Sequence, residues 1–172
     1  TQKEMGLYQE AIATFKKYQK EEPSDERIET MISGCESALT WKEKKSRYKV
    51  EPFKIANERS SDDFSPMWAD RKHKSIMFTS DREGGESKSP YDRTLRNYTD
   101  LWVVKQGRTR GKAEKWEEPE LVEELNSDYN DGAVTFNGRM TKMYVTQCNG
   151  TSGKEPKCKI YEARKAGKGW VM

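Results

Sequence analysis

The stretch SSDDFSPMWADR, beginning at Ser60, returns as DYNDGAVTFNGR, beginning at Asp128, and two further pairs follow in the same order. KSIMFTS from Lys74 answers to KMYVTQ from Lys142, and DLWVVK from Asp100 answers to KIYEAR from Lys159. These pairs set Asp63 over Asp131, Trp68 over Phe136, Phe78 over Val145, Thr79 over Thr146 and Trp102 over Tyr161, and Trp116 then answers to Trp170. Alternating apolar residues between Gly, Pro, Asn and Asp clusters read as short strands. A chain that repeats such a pattern is built from copies of one β unit.

Each copy supplies three strands and starts a fourth, which is the make-up of a β-propeller blade. Asp63, Pro66, Trp68, Phe78, Trp102 and Trp116 in the first copy, and Asp131, Phe136, Tyr161 and Trp170 in the second, are the expected structural positions, with the aromatic ones filling the space between sheets. The first blade is expected over about 60–126 and the second over about 128–172. A further match sets YKVEPFKIAN, Tyr48 to Asn57, beside WEEPELVEELN, Trp116 to Asn126. Both run from an aromatic through Glu-Pro and apolar residues to Asn, so 48–57 is expected as an orphan outer strand that completes the last blade of a ring. The sequence therefore reads as a fragment of a protein with several more blades.

Before Tyr48 the period is helical. Ala11, Ile12, Phe15 and Tyr18 share one helix face, and Pro23 stops the helix. Ser24 then reads as the N-cap of a second helix, Asp25 to Lys45, striped by Ile28, Met31, Ile32, Cys35, Ala38 and Leu39. The spacing of the first helix resembles that of the second half of a tetratricopeptide repeat, whose period is about 34 residues; an unrelated helical hairpin is the other reading. The expected class is thus α+β multidomain: a tetratricopeptide-like helical hairpin over 1–47, truncated at its start, followed by an all-β, incomplete propeller over 48–172.

Composition narrows what such a chain does. Lys plus Arg total 32 against 29 Asp plus Glu, a net charge of +3 with the signs interspersed. The short basic clusters at Lys42, Lys44, Lys45 and Arg47, and at Arg108, Arg110 and Lys112, are flanked by acidic residues. A nucleic-acid binder concentrates its cations, so no nucleic-acid partner is expected. No apolar run approaches the ~18 residues of a membrane helix, so no membrane-spanning segment is expected here.

These residues resemble the TolB-type propeller repeat, Asp-x-x-Pro-x-(aromatic)-x-x-x-Gly-x-x-(apolar)-x-Phe-x-Ser-x-Arg. Asp63, Pro66, Trp68, Ile76, Phe78, Ser80 and Arg82 fit it, His73 or Lys74 stands in place of the turn glycine, and the second copy lacks the proline and the arginine. Tetratricopeptide helices leading directly into NERSSDDFSP and YVTQCNG…CKIY resemble the OmpA-family outer-membrane lipoproteins of Bacteroidota, of the PorE type found in the type IX secretion system. The resemblance implies a periplasmic scaffold associated with the outer membrane, whose partners are other outer-membrane or periplasmic secretion-system proteins. It also implies that peptidoglycan is held by a C-terminal OmpA-like domain outside this sequence.

Cys148 and Cys158 bracket the loop NGTSGKEPK, and a hairpin brings such a pair within disulfide reach; an envelope protein occupies an oxidising compartment. A bridge and two free thiols are both open readings, while Cys35, on an apolar helix face, is expected in the core. One His, His73, and no Cys-x-x-Cys pair leave too few ligands for zinc, and no base stands ready for a nucleophilic Ser or Cys. No cofactor, metal or catalytic residue is therefore expected. Asp62, Asp63 and Asp131, at the blade entrances, would either bind calcium or hydrogen-bond the nearby backbone. GTSGKE at Gly150 to Glu155 lacks the phosphate-loop spacing, and the sequons at Asn97 and Asn149 are common triplets. The long loop Glu83 to Asn97, EGGESKSPYDRTLRN, is a candidate partner-contact surface through Glu83, Ser87, Tyr91 and Arg93. The expected function is a non-enzymatic scaffold; the alternative is a propeller-containing hydrolase of cell-wall glycans or peptides with its active site elsewhere.

Overall fold

The computed structural model describes residues 1–44, 46–107, 115–149 and 157–172. Lys45, the cluster at Arg108, Arg110 and Lys112, and the Gly150 to Glu155 segment lie outside the described residues. The chain divides into two compact units, Thr1–Glu51 and Pro52–Met172.

The first unit is a helical hairpin of α1 (Tyr8–Glu21) and α2 (Arg27–Glu43). Ala11 and Ile12 of α1 bury against Ile28, Ile32 and Cys35 of α2, with Tyr8, Phe15 and Leu39 around them. Cys35 is a buried free thiol. Three sequence expectations fail here, the first being Met31, which is exposed although it belongs to the expected stripe of α2. Tyr18 is exposed, because the contact between two helices is narrower than the apolar stripe. Ser24 does not cap α2: Asp25 does that work, its Oδ1 accepting the Arg27 N–H at 3.1 Å while its carboxylate pairs with the Arg27 guanidinium.

The second unit holds two four-stranded antiparallel sheets, each in simple sequence order. Sheet one comprises β1 (Asp63–Trp68), β2 (Ser75–Ser80), β3 (Asp100–Lys105) and β4 (Glu120–Leu121). Sheet two comprises β5 (Asn130–Phe136), β6 (Lys142–Asn149), β7 (Lys157–Ala166) and β8 (Gly169–Val171). Among the described residues the sheets do not close a ring.

The sheets repeat in register. Asp63 pairs with Ser80 as Asp131 pairs with Gln147, and Trp68 with Ile76 as Phe136 with Met143. Phe78 pairs with Trp102 as Val145 pairs with Tyr161. Gln106 bridges to Trp116 as Lys165 pairs with Trp170. Both first strands carry a bulge, and Ser65 and Ala133, the matching residues, have φ of 52° and 49°. Both first hairpins close with a left-handed residue, His73 and Met140, after Asp70 and Asn137, whose side-chain oxygens accept backbone N–H groups across the turn. His73 thus occupies the conformation that glycine adopts without steric cost.

Because side chains alternate along a strand, each sheet has two faces. One face of sheet one carries Met77, Leu101 and Val103; the other carries Ile76, Phe78, Trp102 and Val104. Met77 and Leu101 pack against Val134, Met143, Val145 and Ala163 of sheet two, with Phe136, Tyr161 and Trp170 at the margin. By register, the face that sheet two buries is the counterpart of the Phe78–Trp102 face. The stack is therefore head to tail.

Tyr48 to Asn57 is not the outer strand expected. Among the described residues it belongs to no strand, and Phe53 to Asn57 forms a turn, both Ala56 and Asn57 donating to the Phe53 carbonyl at 3.0 Å. Phe53, Ile55 and Ala56 cover the Phe78–Trp102–Val104 face. Phe78, Trp102 and Trp116 accordingly bury against this segment rather than between the sheets. Trp68 stays 40% exposed beside Trp116 and His73.

Candidate functional site

The strand ends where β1, β3 and β5 begin gather most of the buried charge among the described residues. Asp63 opens β1, and Arg82 follows β2. Arg82 Nη2 lies 2.6 Å from Asp63 Oδ1, with both side chains under a tenth exposed. The same nitrogen donates to the Ala56 carbonyl at 2.5 Å, and Arg82 Nε donates to Ser80 Oγ at 3.0 Å. The guanidinium carbon sits 4.9 Å and 5.3 Å from the Phe78 and Trp102 ring centroids, within cation–π range. One arginine thus ties the covering turn, the first strand and the aromatic face together.

Asp131 occupies the matching position in sheet two, and among the described residues no cation pairs with it. Asn149 stands where register places Arg82, and it is exposed. Asp131 Oδ2 accepts the Ser127 N–H, as Asp63 Oδ2 accepts the Glu58 N–H, so both residues serve the backbone nearby, while the Asp131 N–H donates to the Thr99 carbonyl at 2.7 Å. Asp131 Oδ1 is buried and accepts no hydrogen bond among the described residues. Burial pushes its carboxyl up to about 6, against the pull of Ser127 and the Gln147 amide.

Asp100, next to Thr99, is a second buried acid with an unpartnered oxygen among the described residues. Its Oδ2 accepts the Glu86 N–H at 3.2 Å, and its Oδ1 is likewise without a partner among the described residues. Burial raises it to about 7, and the charges of Asp131 and Glu86 push the same way; the Glu86 N–H and Lys88 oppose them. A Cβ on Gly85 would collide with the buried Asp100 carboxylate, so glycine permits this close wrap of the loop.

The Glu83 to Asn97 loop is fastened at its return. Arg96 Nε pairs with Asp81 Oδ2 at 2.6 Å, its Nη1 reaches Asp62 Oδ2 at 3.3 Å, and its Nη2 donates to the Ser60 carbonyl at 3.1 Å. Tyr91 donates its N–H to the Arg96 carbonyl at 2.7 Å, and its ring leads a chain to Tyr98 at 5.1 Å and Tyr129 at 6.0 Å. Glu83 and Arg93 are exposed, while Ser87 and Tyr91 are half-buried in the loop itself. A shallow hollow of about 560 Å³ lies nearby, lined by Glu86, Asn126, Ser127, Asp128, Tyr129 and Asn149.

Cys148 and Cys158 are cross-strand partners on β6 and β7 and form a disulfide. Asp63 and Asp131 stand out in the sequence as a repeated pair, whereas Asp100 stands out only as the start of a strand. Its signal was a carboxylate heading an otherwise apolar run, with two glycines, Gly84 and Gly85, upstream. Among the described residues no cluster of three or more His, Cys, Asp and Glu side chains is disposed to hold a metal, and no helix is long and apolar enough to cross a membrane. Compared with known proteins, the chain matches no family model, no curated protein and no solved structure.

Proposed function

We propose that this chain is a non-catalytic docking module of the bacterial cell envelope, in which a helical-repeat arm and stacked TolB-like propeller blades hold other outer-membrane or periplasmic secretion-system proteins. The observation that carries the reading is the head-to-tail stack of two sheets matched in register, bulge and turn. Repeat stacks of this kind present preformed surfaces, and a rigid surface lowers the ordering cost of binding. The Cys148–Cys158 disulfide fits an oxidising compartment. The fastening of the Glu83 to Asn97 loop by Arg96 and the tyrosine chain fits a loop that offers Glu83 and Arg93 in a set geometry. Peptidoglycan contact, on this reading, belongs to a separate domain.

Immobilised protein exposed to an envelope extract tests the proposal. Retained envelope proteins that are lost with Glu83→Ala/Arg93→Ala support the loop as a contact surface; retention of none by either unit counts against the scaffold. The hydrolase alternative would need reachable carboxylates. Asp100 and Asp131 are 2% and 0% exposed, so that reading keeps its active site elsewhere, and turnover of cell-wall fragments that survives Asp100→Asn would favour it instead.

A further inference from the structure

The bare face of sheet two has a counterpart whose occupant is visible. Register sets Tyr144 where sheet one has Met77, Ile160 where it has Leu101, and Thr146 where it has Thr79. In sheet one these positions are buried by sheet two: Met77 is 3%, Leu101 0% and Thr79 0% exposed. In sheet two, Tyr144 is 38% and Ile160 74% exposed. Charge enters with Glu162 for Val103 and Lys142 for Ser75, and there Lys142 Nζ and Arg164 Nε each hold Glu162 at 2.9 Å, so the carboxylate arrives already paired.

The occupied interface also states what its partner must bring. Thr79 Oγ1 accepts the N–H of Ala133, the left-handed bulge residue of sheet two, at 2.9 Å. A Cβ on the preceding Gly132 would stand 2.7 Å from Thr79 Cγ2, so any other residue there would have to displace the buried Thr79 side chain. Sheet one carries Phe64 at that place, and the face it would offer is already covered by Phe53, Ile55 and Ala56. A second copy of this chain therefore offers no free matching face.

We infer that the Tyr144–Thr146–Ile160 face is a docking site for a further antiparallel sheet of the same repeat, one with glycine before its bulge, whose bulge N–H is received by the Thr146 hydroxyl. This rests on the stacked-blade reading above and names the partner of its open end.

Hydroxyl-radical footprinting of Tyr144 and Ile160 tests the inference, comparing the 172-residue chain with an extended chain in which a copy of residues 126–172 follows Met172. Both residues should be reactive in the first and protected severalfold in the second, and the protection should vanish when the appended copy carries phenylalanine in place of its bulge glycine. Reactivity unchanged by the extension overturns the inference. A second extended chain, with Tyr144→Met, Ile160→Leu and Glu162→Val, reproduces the apolar side chains of the occupied face. Protection of this graft alone would leave head-to-tail stacking standing while removing this face as its site. Protection that grows with concentration in the unextended chain would mean that a second copy is the occupant, and overturns the inference too.

Discussion

Sheet one and sheet two match in the register of their first three strands and in the tryptophan that meets the third, yet they are stabilised by different means. Sheet one is covered on both faces and carries a buried Arg82–Asp63 pair at its charged end. Sheet two is covered on one face, leaves Asp131 without a cation among the described residues, and carries a disulfide across β6 and β7. The pleat and hydrogen-bond ladder are common property of the repeat. What differs is whatever contacts the rest of the chain, because that depends on which neighbour each face and each end meets.

The sharpest way to break the comparison is to remove the cation. Arg82→Met leaves Asp63 buried and unpaired and frees the Ala56 carbonyl, and removing one partner of a buried pair costs about 3–5 kcal/mol. Asn149→Ala, at the matching position, should fall within about 0.5 kcal/mol, as exposed positions do. Urea denaturation of the two variants measures both. Equal losses would mean that the covering turn at Phe53 to Ala56, rather than the arginine, anchors sheet one.

A truncation at matched face positions should nearly equal that effect. Leu101→Ala opens a cavity between the sheets and should cost about 2–5 kcal/mol, while Ile160→Ala, its counterpart on the bare face, should cost well under 1 kcal/mol by the rule for exposed sites. The midpoint shift in thermal unfolding reads the contrast. In the extended chain with a third sheet, the Ile160→Ala cost should rise towards that of Leu101→Ala.

This contrast also marks where the sequence was legible. The pairing of Phe78 with Trp102 and of Val145 with Tyr161 could be read by sliding the chain over itself, because side-chain period and strand register repeat together. The division into helices and sheets followed from the change of period near Tyr48. Coverage was not legible. Tyr48 to Asn57 has the aromatic, Glu-Pro and apolar pattern of the fourth strand, but its fate turns on Arg82 seizing the Ala56 carbonyl, a contact between residues far apart in sequence. Burial of Asp100 was hidden for the same reason, since it depends on a loop wrapping closely at Gly85. Tyr18 was misjudged because periodicity gives a face and not the width of the contact it makes.

The disulfide should rank third. Closing a loop with a sequence separation of 10 stabilises by about 2–3 kcal/mol in the chain-entropy account. Cys148→Ser/Cys158→Ser, or reduction, should therefore lower stability by that amount and speed amide exchange in β6 and β7 while leaving β2 and β3 unchanged. Equal exchange in both sheets would show that the two unfold as one unit and would dissolve the distinction drawn here.

The smallest effect concerns the two acids, and its sign follows from the direction of their shifts. Asp100 at about 7 and Asp131 at about 6 are raised from the usual 3.8, chiefly by burial. The folded state therefore holds protons that the unfolded chain has released, and stability is full below about pH 4 and lost as pH rises through 6 to 7. Glu86 and Lys88 face Asp100 alongside Asp131, while neutral Ser127 and Gln147 face Asp131, so among the described residues no strong cation reverses the trend. Local relaxation and water entry reduce the effect below what the shifts alone would give, to on the order of 1 kcal/mol between pH 5 and 8. Asp100→Asn should flatten the pH profile and stabilise the protein at pH 8. Asn149→Arg should do so in part, by restoring to Asp131 the kind of partner that Arg82 provides for Asp63; if it leaves the slope untouched, position 149 does not face the acid as its counterpart in sheet one does.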